Sequence, residues 1–325
     1  MSNESFQYWL ESKSGEHEAW GLFVIEQVIE RLKHEIPEDR LMSLFKAEPS
    51  SRVKTIDSAL AKQVKKNYLD PKEQMTDLVG ARFVVLLKTD IEIIERVIVQ
   101  SSCWVAKKDR SPMDEQNAQP KAFDYQSVHY LVRNTIDRDF KSKKILEGAT
   151  CEVQIRTLLQ HAYAELVHDR IYKEEKKVPT SVERLVARSM ALMETTDEMF
   201  CNAVEQLESV NKSRQSWCKD LDDLYQEINP ANATRIESSP DALDLLDTFH
   251  DLMESANISQ VKELMSKFIR GKIQSRASDE GLFSLPICVA VYWLAKTHPV
   301  EVKQLWSNPK WQCDLDQIKA DLGMA

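Results

Sequence analysis

Residues 151–157 constrain the fold of this chain more than any other stretch, because apolar and polar side chains alternate along them. The apolar positions are Cys151, Val153 and Ile155. The polar positions between them are Glu152, Gln154 and Arg156. Successive side chains of an extended strand lie on opposite faces of the sheet. The stretch therefore predicts a β-strand with one face in a core and the other face lined by ionisable and amide groups.

Residues 15–178 contain both helical and strand patterns, as the spacing of their apolar residues indicates. The predicted helices cover 17–35, 51–66 and 91–100, and the predicted strands cover 81–87, 103–106, 125–132 and 150–155. Residues 107–124 are polar and contain proline, which predicts a loop. The sequence therefore predicts an α/β or α+β domain over 15–178, built as a mixed sheet flanked by helices.

The strand patterns stop at Pro179, and the rest of the chain has helical periodicity. A long amphipathic helix is predicted around Val182–Leu207, and shorter helices at 240–256, 258–270, 282–296 and 300–322. Residues 179–325 are therefore predicted to form an acidic, all-helical extension. Such a module suits interaction, oligomerisation or regulation, through a second copy of the chain or another protein.

The charge of the chain is unevenly distributed. The formal net charge is -9, which disfavours nonspecific binding of nucleic acid by the whole chain. Residues 50–177 nevertheless contain 23 Lys and Arg against 19 Asp and Glu. We therefore expect an anionic ligand to bind within this middle third.

The sequence carries no sign of a membrane or of an oxidising compartment. No stretch approaches about 18 uninterrupted apolar residues, and residues 1–20 lack the basic start and apolar centre of a signal peptide. The six Cys are scattered and none forms a Cys-x-x-Cys pair, which is typical of free thiols in a reducing environment. We therefore expect a cytoplasmic protein with no membrane partner.

Two separated carboxylates, Asp77 and Glu152, are the strongest candidates for chemistry. Asp77 precedes Gly80 and Arg82 at the entry of the most apolar strand, where a carboxylate suits Mg²⁺ as a hard oxygen ligand. No glycine-rich phosphate loop of the Walker type occurs, so side chains must grip any phosphate. Carboxylates, cations and a stacking aromatic together suit Mg²⁺-dependent phosphoryl chemistry on a nucleotide.

Alternation in the strand at 125–132 places Tyr125, Ser127 and His129 on one face, with apolar residues behind them. His161 and His168 lie seven residues apart, which is two turns along one face of a helix. Taken singly, each of these residues is more simply explained by packing or by surface ion pairs. Their occurrence together in a fixed order is what favours a functional site.

Five short motifs carry a family resemblance: RVKTIDSALAK at 52–62, DLVGAR at 77–82, DYQSVH at 124–129, EVQIRT at 152–157 and HDRIYK at 168–173. In this order they resemble the synthetase domain of the RelA/SpoT family, the (p)ppGpp synthetases of the stringent response. The resemblance implies a nucleotidyltransferase-like α+β fold. It also implies Mg²⁺-dependent transfer of pyrophosphate from ATP to the 3′-hydroxyl of GDP or GTP.

On the donor side, the resemblance implies that Arg52 and Arg82 sandwich the adenine of ATP, since planar guanidinium groups stack on a base. Its phosphates are then assigned to side chains of the first motif: Lys54, Ser58 and Lys62. Asp77 is assigned to the Mg²⁺ that bridges the phosphates, and Glu152 shares this metal.

On the acceptor side, the resemblance assigns Tyr125 to stacking on the guanine and Glu152 to orienting and deprotonating the 3′-hydroxyl. The other residues assigned to the acceptor are Ser127, His129, Gln154, Arg156 and His161. Gln154 is expected to support Glu152, and His161 to approach the acceptor base.

Asp124 departs from the family pattern, which usually has Gly before the Tyr. A carboxylate there either repels an anionic 5′-phosphate tail or points to solvent, so the acceptor is left open. The alternatives are a toxic small alarmone synthetase that modifies the 3′ end of tRNA or makes (p)ppApp, and a catalytically inactive nucleotide sensor. Cations suited to a tRNA stem are Lys107, Lys108, Arg110, Arg138, Lys141, Lys143 and Lys144.

The family also includes long bifunctional members that carry a metal-dependent hydrolase domain with a His-Asp pair. No such pair precedes the synthetase motifs, and the residues before them are too few for that domain. We therefore expect a stand-alone synthetase with a long helical extension.

Overall fold

The computed structural model describes residues 3–110, 127–167, 178–231, 234–254, 256–277 and 281–324. The chain divides into two compact units, Met1–Ala203 and Val204–Ala325. The elements of the first unit are α1 (Asn3–Glu35), α2 (Glu38–Leu44), β1 (Phe45–Val53), α3 (Ile56–Lys66), α4 (Pro71–Gln74), β2 (Val79–Val85), α5 (Lys88–Val99), β3 (Trp104–Arg110), β4 (Val128–Asn134), β5 (Arg138–Phe140), β6 (Lys143–Ile145), β7 (Thr150–Thr157) and α6 (Leu158–Leu166).

A five-stranded mixed sheet forms the centre of the first unit, in the order β1-β2-β7-β4-β3. β2 and β7 run parallel, and the other neighbours run antiparallel. β7, the strand predicted from the alternating stretch, therefore lies in the middle of the sheet. Its residues Cys151, Val153 and Ile155 are buried, as the alternation predicts.

Helices α1 and α5 supply the core that covers the apolar face of the sheet. Residues of this core include Trp20, Val24, Val28, Phe83, Ile94, Ile98, Val132, Val153 and Ile155. Gly21 allows α1 to approach β1, because a Cβ at that position would lie 2.8 Å from the Cβ of Ser51. The opposite face of the sheet carries polar side chains together with the apolar Val84 and Leu131.

The helix predicted for residues 51–66 is wrong at its beginning. Ser51 to Val53 belong to β1, where Arg52 pairs with Gly80 of β2. α3 begins only at Ile56, because the hydroxyl of Thr55 caps it by accepting from the backbone N–H of Ser58 at 3.3 Å. Lys54 therefore lies between β1 and α3 and does not share a helix face with Ser58 and Lys62.

The remaining strand predictions are close to the structure, with shifted ends. β3 reaches Arg110 and so takes in residues predicted as loop, and β4 begins at Val128. The charged segment between β4 and β7 forms a two-stranded hairpin, β5 with β6. Tyr125, Asp124 and His168, and the motif that contains His168, lie outside the described residues.

The helical extension predicted after Pro179 is confirmed. α7 (Thr180–Ile228) is one long helix. The division between the two compact units falls within it, between residues 203 and 204. The sequence instead predicts the domain boundary between residues 178 and 179. Helices of the second unit are α8 (Pro240–Thr248), α9 (His250–Glu254), α10 (Ile258–Leu264), α11 (Lys267–Arg276), α12 (Ile287–Thr297), α13 (Pro299–Leu305) and α14 (Gln312–Asp321).

The second unit has a core of its own, centred on α12. Every residue of α12 from Ile287 to Ala295 is buried. Near the end of the chain, Asp321 of α14 accepts hydrogen bonds from Arg276 at 2.6 Å and from the hydroxyl of Tyr292 at 2.6 Å. Among the described helices, none is both long enough and apolar enough to cross a membrane.

Candidate active site

Strand register assembles the site on the polar face of the sheet. One row runs from Arg52 of β1 through Gly80 of β2 and Glu152 of β7 to Leu131 of β4. The neighbouring row contains Ser50, Arg82, Gln154 and His129. Laterally paired residues lie on the same face of a sheet. The strand pairing therefore brings residues from four of the five sequence motifs into one area.

Gly80 keeps the face open between Arg52 and Glu152. A Cβ built on Gly80 would meet the carbonyl oxygens of Arg52 and Glu152 at 3.8 Å, which is an ordinary van der Waals contact. The packing of the protein backbone therefore does not require glycine here. The missing side chain leaves open space above the sheet at this position.

Asp77 lies within a small cluster of charges ahead of β2. Its Oδ2 atom is 2.9 Å from Nζ of Lys54 and 2.5 Å from Nζ of Lys62. Burial alone raises the pKa of Asp77, but the hydrogen bonds and charges of the two lysines outweigh it, so the pKa falls below its ordinary value of 3.8. Two predicted phosphate ligands and the predicted metal ligand thus converge, although Lys54 is not helical.

Ser58 lies in the first turn of α3, where its hydroxyl accepts from that of Thr55 at 2.8 Å. A helix N-terminus attracts anions through its exposed N–H groups and dipole. Arg52 is exposed at the end of β1 and has no ion-pair or hydrogen-bonding partner among the described residues. Both positions are accessible to a nucleotide, as their assigned roles require.

Glu152 is held from both sides by neighbours on β4 and β7. Its Oε1 atom lies 3.1 Å from Nδ1 of His129, and its Oε2 atom accepts from the amide of Gln154 at 3.0 Å. Burial raises the pKa of Glu152, as does the charge of Asp77, but the hydrogen bond from His129 and the one from Gln154 outweigh them. The pKa is lowered from 4.5 as a result. Glu152 is therefore an ionised, oriented carboxylate at neutral pH.

Helix α6 begins directly at the end of β7 and carries His161. Thr157 forms a capping box with Gln160, since its hydroxyl accepts from the Gln160 N–H at 3.2 Å and Oε1 of Gln160 accepts from the Thr157 N–H at 3.0 Å. The cap fixes the direction of α6, so His161 and Glu165 lie near Arg82 of β2. Burial, with the charges of Arg156 and Arg82, lowers the pKa of His161.

Two residues assigned to the acceptor lie deeper than the others. Ser127 is 1% exposed and its hydroxyl donates to the carbonyl of Ile155 at 3.3 Å, so it joins β4 to β7. Arg156 is 4% exposed. Their assigned contacts with the acceptor stay predictions, as does that of Tyr125, which lies outside the described residues.

The described residues contain no group of three or more His, Cys, Asp or Glu side chains arranged to hold a metal ion. Mg²⁺ does not need such a cage, because it is usually bound by one or two carboxylates together with water and substrate phosphates. Oδ1 of Asp77 is buried without a hydrogen-bonding partner among the described residues, while Oδ2 is taken by the lysines. This oxygen, with Glu152 nearby, fits a Mg²⁺ ligand set of that kind.

Sequence reasoning missed two acidic residues that contact this area. Glu165 is one helical turn beyond His161, and that spacing is the signal that could have identified it. Asp197 lies on α7, where its Oδ2 atom accepts from the hydroxyl of Thr157 at 2.7 Å. No local pattern reveals Asp197, because the contact joins residues 40 positions apart.

Replacing Asp197 with Asn is expected to stabilise the protein at neutral pH. Asp197 is 1% exposed, and burial raises its pKa more than the hydrogen bond from Thr157 lowers it. A carboxyl whose pKa is higher in the folded state costs stability as the pH rises above 3.8, the ordinary value of its pKa. Asn keeps an acceptor for Thr157 and removes the buried charge.

Thermal unfolding from pH 3.5 to pH 8 measures this effect. The gain of the Asn variant over wild type should grow with pH, whereas Asp197→Ala should lose about 1–3 kcal/mol by leaving Thr157 without its acceptor. A gain that shrinks as the pH rises would contradict this account of Asp197.

Comparison with known proteins agrees with the motifs. Residues 51–177 match the model of a region found in RelA/SpoT proteins. GTP pyrophosphokinase YjbM of Bacillus subtilis (strain 168) is 27% identical over 190 residues, an alignment that covers 55% of this chain and 85% of that protein.

Solved structures agree with the fold. The crystal structure of small alarmone synthetase 1 from Bacillus subtilis aligns with a TM-score of 0.50 and 21% identity, over 63% of this chain and 99% of that one. This likeness confirms the predicted mixed sheet flanked by helices. Taken with the matched region, it shows that residues 51–177 are a region of the kind found in RelA/SpoT proteins, within a unit that has the fold of that solved structure.

Proposed function

We propose that this protein transfers pyrophosphate from ATP to the 3′-hydroxyl of GDP or GTP. The observation that carries this proposal is the placement of Glu152 in one row with Arg52 and Gly80, beside the charge cluster of Asp77. The row offers an oriented carboxylate, open space and a cation, and the cluster adds two lysines. The name of the relative, GTP pyrophosphokinase, supports the same reaction.

The donor half is assigned to β1, α3 and the entry to β2. Arg52 and Arg82 face the same side of the sheet, where their planar groups suit stacking on adenine. Lys54 and Lys62 already converge within 3 Å of one carboxylate oxygen, so they are spaced to share the oxygens of a triphosphate. Ser58 contributes a hydroxyl at the N-terminus of α3.

Glu152 is assigned to the acceptor hydroxyl. The 3′ O–H bond breaks as its proton passes to the carboxylate, and the 3′ oxygen forms a bond to the β-phosphorus of ATP. The bond from that phosphorus to the oxygen bridging the α- and β-phosphates breaks, and AMP leaves with the electron pair. Because the pKa of Glu152 lies below 4.5, it is a weak base. Its main contribution is therefore to align the hydroxyl, and it takes the proton as the new bond forms.

Mg²⁺ is assigned to Oδ1 of Asp77 and to Glu152. When bound, it would neutralise charge on the phosphates. The chain itself supplies the two lysines that screen the remaining charge and the gap above Gly80 that admits the substrates.

The protein with Mg²⁺, ATP and GDP is expected to release AMP and ppGpp in equal amounts, which anion-exchange chromatography separates and quantifies. Chelating the Mg²⁺ should stop both products together. Nucleotide binding without release of AMP under any condition would instead favour the inactive sensor.

The cations considered for a tRNA stem are largely engaged within the protein. Lys108 lies 2.7 Å from Glu95 and Lys144 lies 2.9 Å from Asp137, while Lys141 pairs with Glu26. Arg138 donates to the carbonyl of Cys103 at 2.7 Å. Binding a tRNA stem through these four side chains would exchange their present contacts for phosphate contacts, so they give no separate support for tRNA as the acceptor. Bulk tRNA belongs in the assay as a competing acceptor.

A further inference from the structure

Glu165 joins two residues that the proposed function assigns to different substrates. Its Oε1 atom lies 3.0 Å from Nη1 of Arg82, which is assigned to the adenine of ATP. The same oxygen lies 3.5 Å from Nδ1 of His161, which is assigned to the acceptor base, in a close approach without a hydrogen bond. One carboxylate oxygen of Glu165 therefore lies close to a residue assigned to the donor and to a residue assigned to the acceptor.

The elements that meet here give the contact a fixed geometry. Arg82 belongs to β2, in register with Gln154 of β7, and the side chain of Glu165 reaches it from α6. The start of α6 is fixed by the Thr157 capping box and by the hydrogen bond from Thr157 to Asp197. The position of the carboxylate is thus set by the sheet end and by α7 together.

A guanidinium stacks on a base only when its plane is oriented, and a hydrogen bond to one nitrogen restricts that plane. Arg52, the other arginine assigned to adenine, has no such partner among the described residues. The side chains of Arg82 and Glu165 are 38% and 51% exposed, so their attraction is screened and worth little to folding. An exposed pair that adds little stability is well suited to orienting a ligand group.

We propose that Glu165 is a positioning residue that orients Arg82 for the donor base and His161 for the acceptor base, and so links the two binding positions. This inference rests on the proposed function. The inference extends the proposed function by assigning a role to a residue that is not itself assigned to the 3′-hydroxyl or to the β-phosphorus.

Glu165→Gln is expected to raise the KM for ATP and the KM for GDP by about three- to five-fold each, with kcat changed by less than about two-fold. Glu92→Gln, an exposed Glu on α5, is the matched control and should leave all three constants unchanged. Unchanged KM values in Glu165→Gln, or a fall in kcat alone, would overturn the proposal.

A double-mutant cycle separates positioning from a general effect on structure. In the Arg82→Gln background, adding Glu165→Gln should change the KM for ATP by less than about 1.5-fold, because the group it orients is gone. Full additivity of the two substitutions would overturn the proposal.

Equilibrium binding of a non-hydrolysable ATP analogue tests the role of Glu165 separately from the proposed pyrophosphate transfer. If wild type transfers no pyrophosphate, the proposed function fails, yet Glu165→Gln should still weaken analogue binding about three- to five-fold. If wild type is active and the variant binds the analogue as wild type does, the role of Glu165 alone is refuted.

Discussion

Replacing Glu152 with Gln is expected to lower the kcat of pyrophosphate transfer by about 10²- to 10⁴-fold, the range typical for loss of a positioned proton acceptor. The neutral amide cannot take the 3′ proton, while its size and hydrogen bonds are nearly conserved. Its N–H can donate to Nδ1 of His129, because a neutral imidazole accepts at one ring nitrogen. The variant should therefore fold, and initial rates of AMP release measure its loss.

Glu147→Gln is the matched control, since Glu147 is exposed and lies just before β7. It should retain the wild-type rate, and the thermal unfolding curves of both variants should stay close to that of wild type. A folded Glu152→Gln protein with kcat within a factor of two of wild type would refute the role assigned to Glu152.

Replacing Asp77 with Asn is expected to lower kcat/KM for ATP by about 10²- to 10³-fold, as for other groups that organise charge in a transition state. The substitution removes the negative charge that Lys54 and Lys62 share, and it weakens a carboxylate ligand of the kind Mg²⁺ prefers. The Mg²⁺ concentration for half-maximal rate should rise as well. Initial rates over a series of Mg²⁺ and ATP concentrations measure both effects.

The same substitution should also lower the free energy of unfolding at pH 7, by about 1.5–3 kcal/mol, since it removes hydrogen bonds to charged groups. The pKa of Asp77 is lowered in the folded state, so its contribution is present above 3.8 and is lost as the pH falls below that value. The stability difference between wild type and Asp77→Asn should therefore shrink in acid. A difference that grows below pH 3.8 would contradict the assignment of the charge cluster.

The central strand and its two faces were predictable because alternation is a local property. The sequence of β7 alone separates the buried Cys151, Val153 and Ile155 from Glu152 and Gln154. The hydrogen bond between Gln154 and Glu152 follows from the same spacing, because residues two apart on a strand share a face. The order of the five motifs along the chain indicated the resemblance to the RelA/SpoT family, and this inference did not need the register of the strands.

Other features depend on contacts between distant parts of the chain. β1 contains Pro49 and two serines, lacks a clear alternation, and is a strand because it pairs with β2. That pairing, not helical spacing, sets the position of Arg52 and Lys54. Asp197 was missed for a similar reason, since its partner Thr157 is 40 residues away in sequence. The role predicted for the C-terminal helices stays a prediction. Their buried core explains how they fold, but it does not identify a binding partner.

The most direct measurement follows the β-phosphorus of ATP. The protein is incubated with Mg²⁺ and β-labelled ATP in the presence of both GDP and bulk tRNA. Mass spectrometry then locates the label and the atom to which it is attached. We expect the label to be attached at the 3′ oxygen of the guanosine nucleotide, with AMP formed in equal amount and almost no label on tRNA. Label on the tRNA 3′ end, or AMP formed without a 3′-pyrophosphorylated guanosine nucleotide, would contradict it.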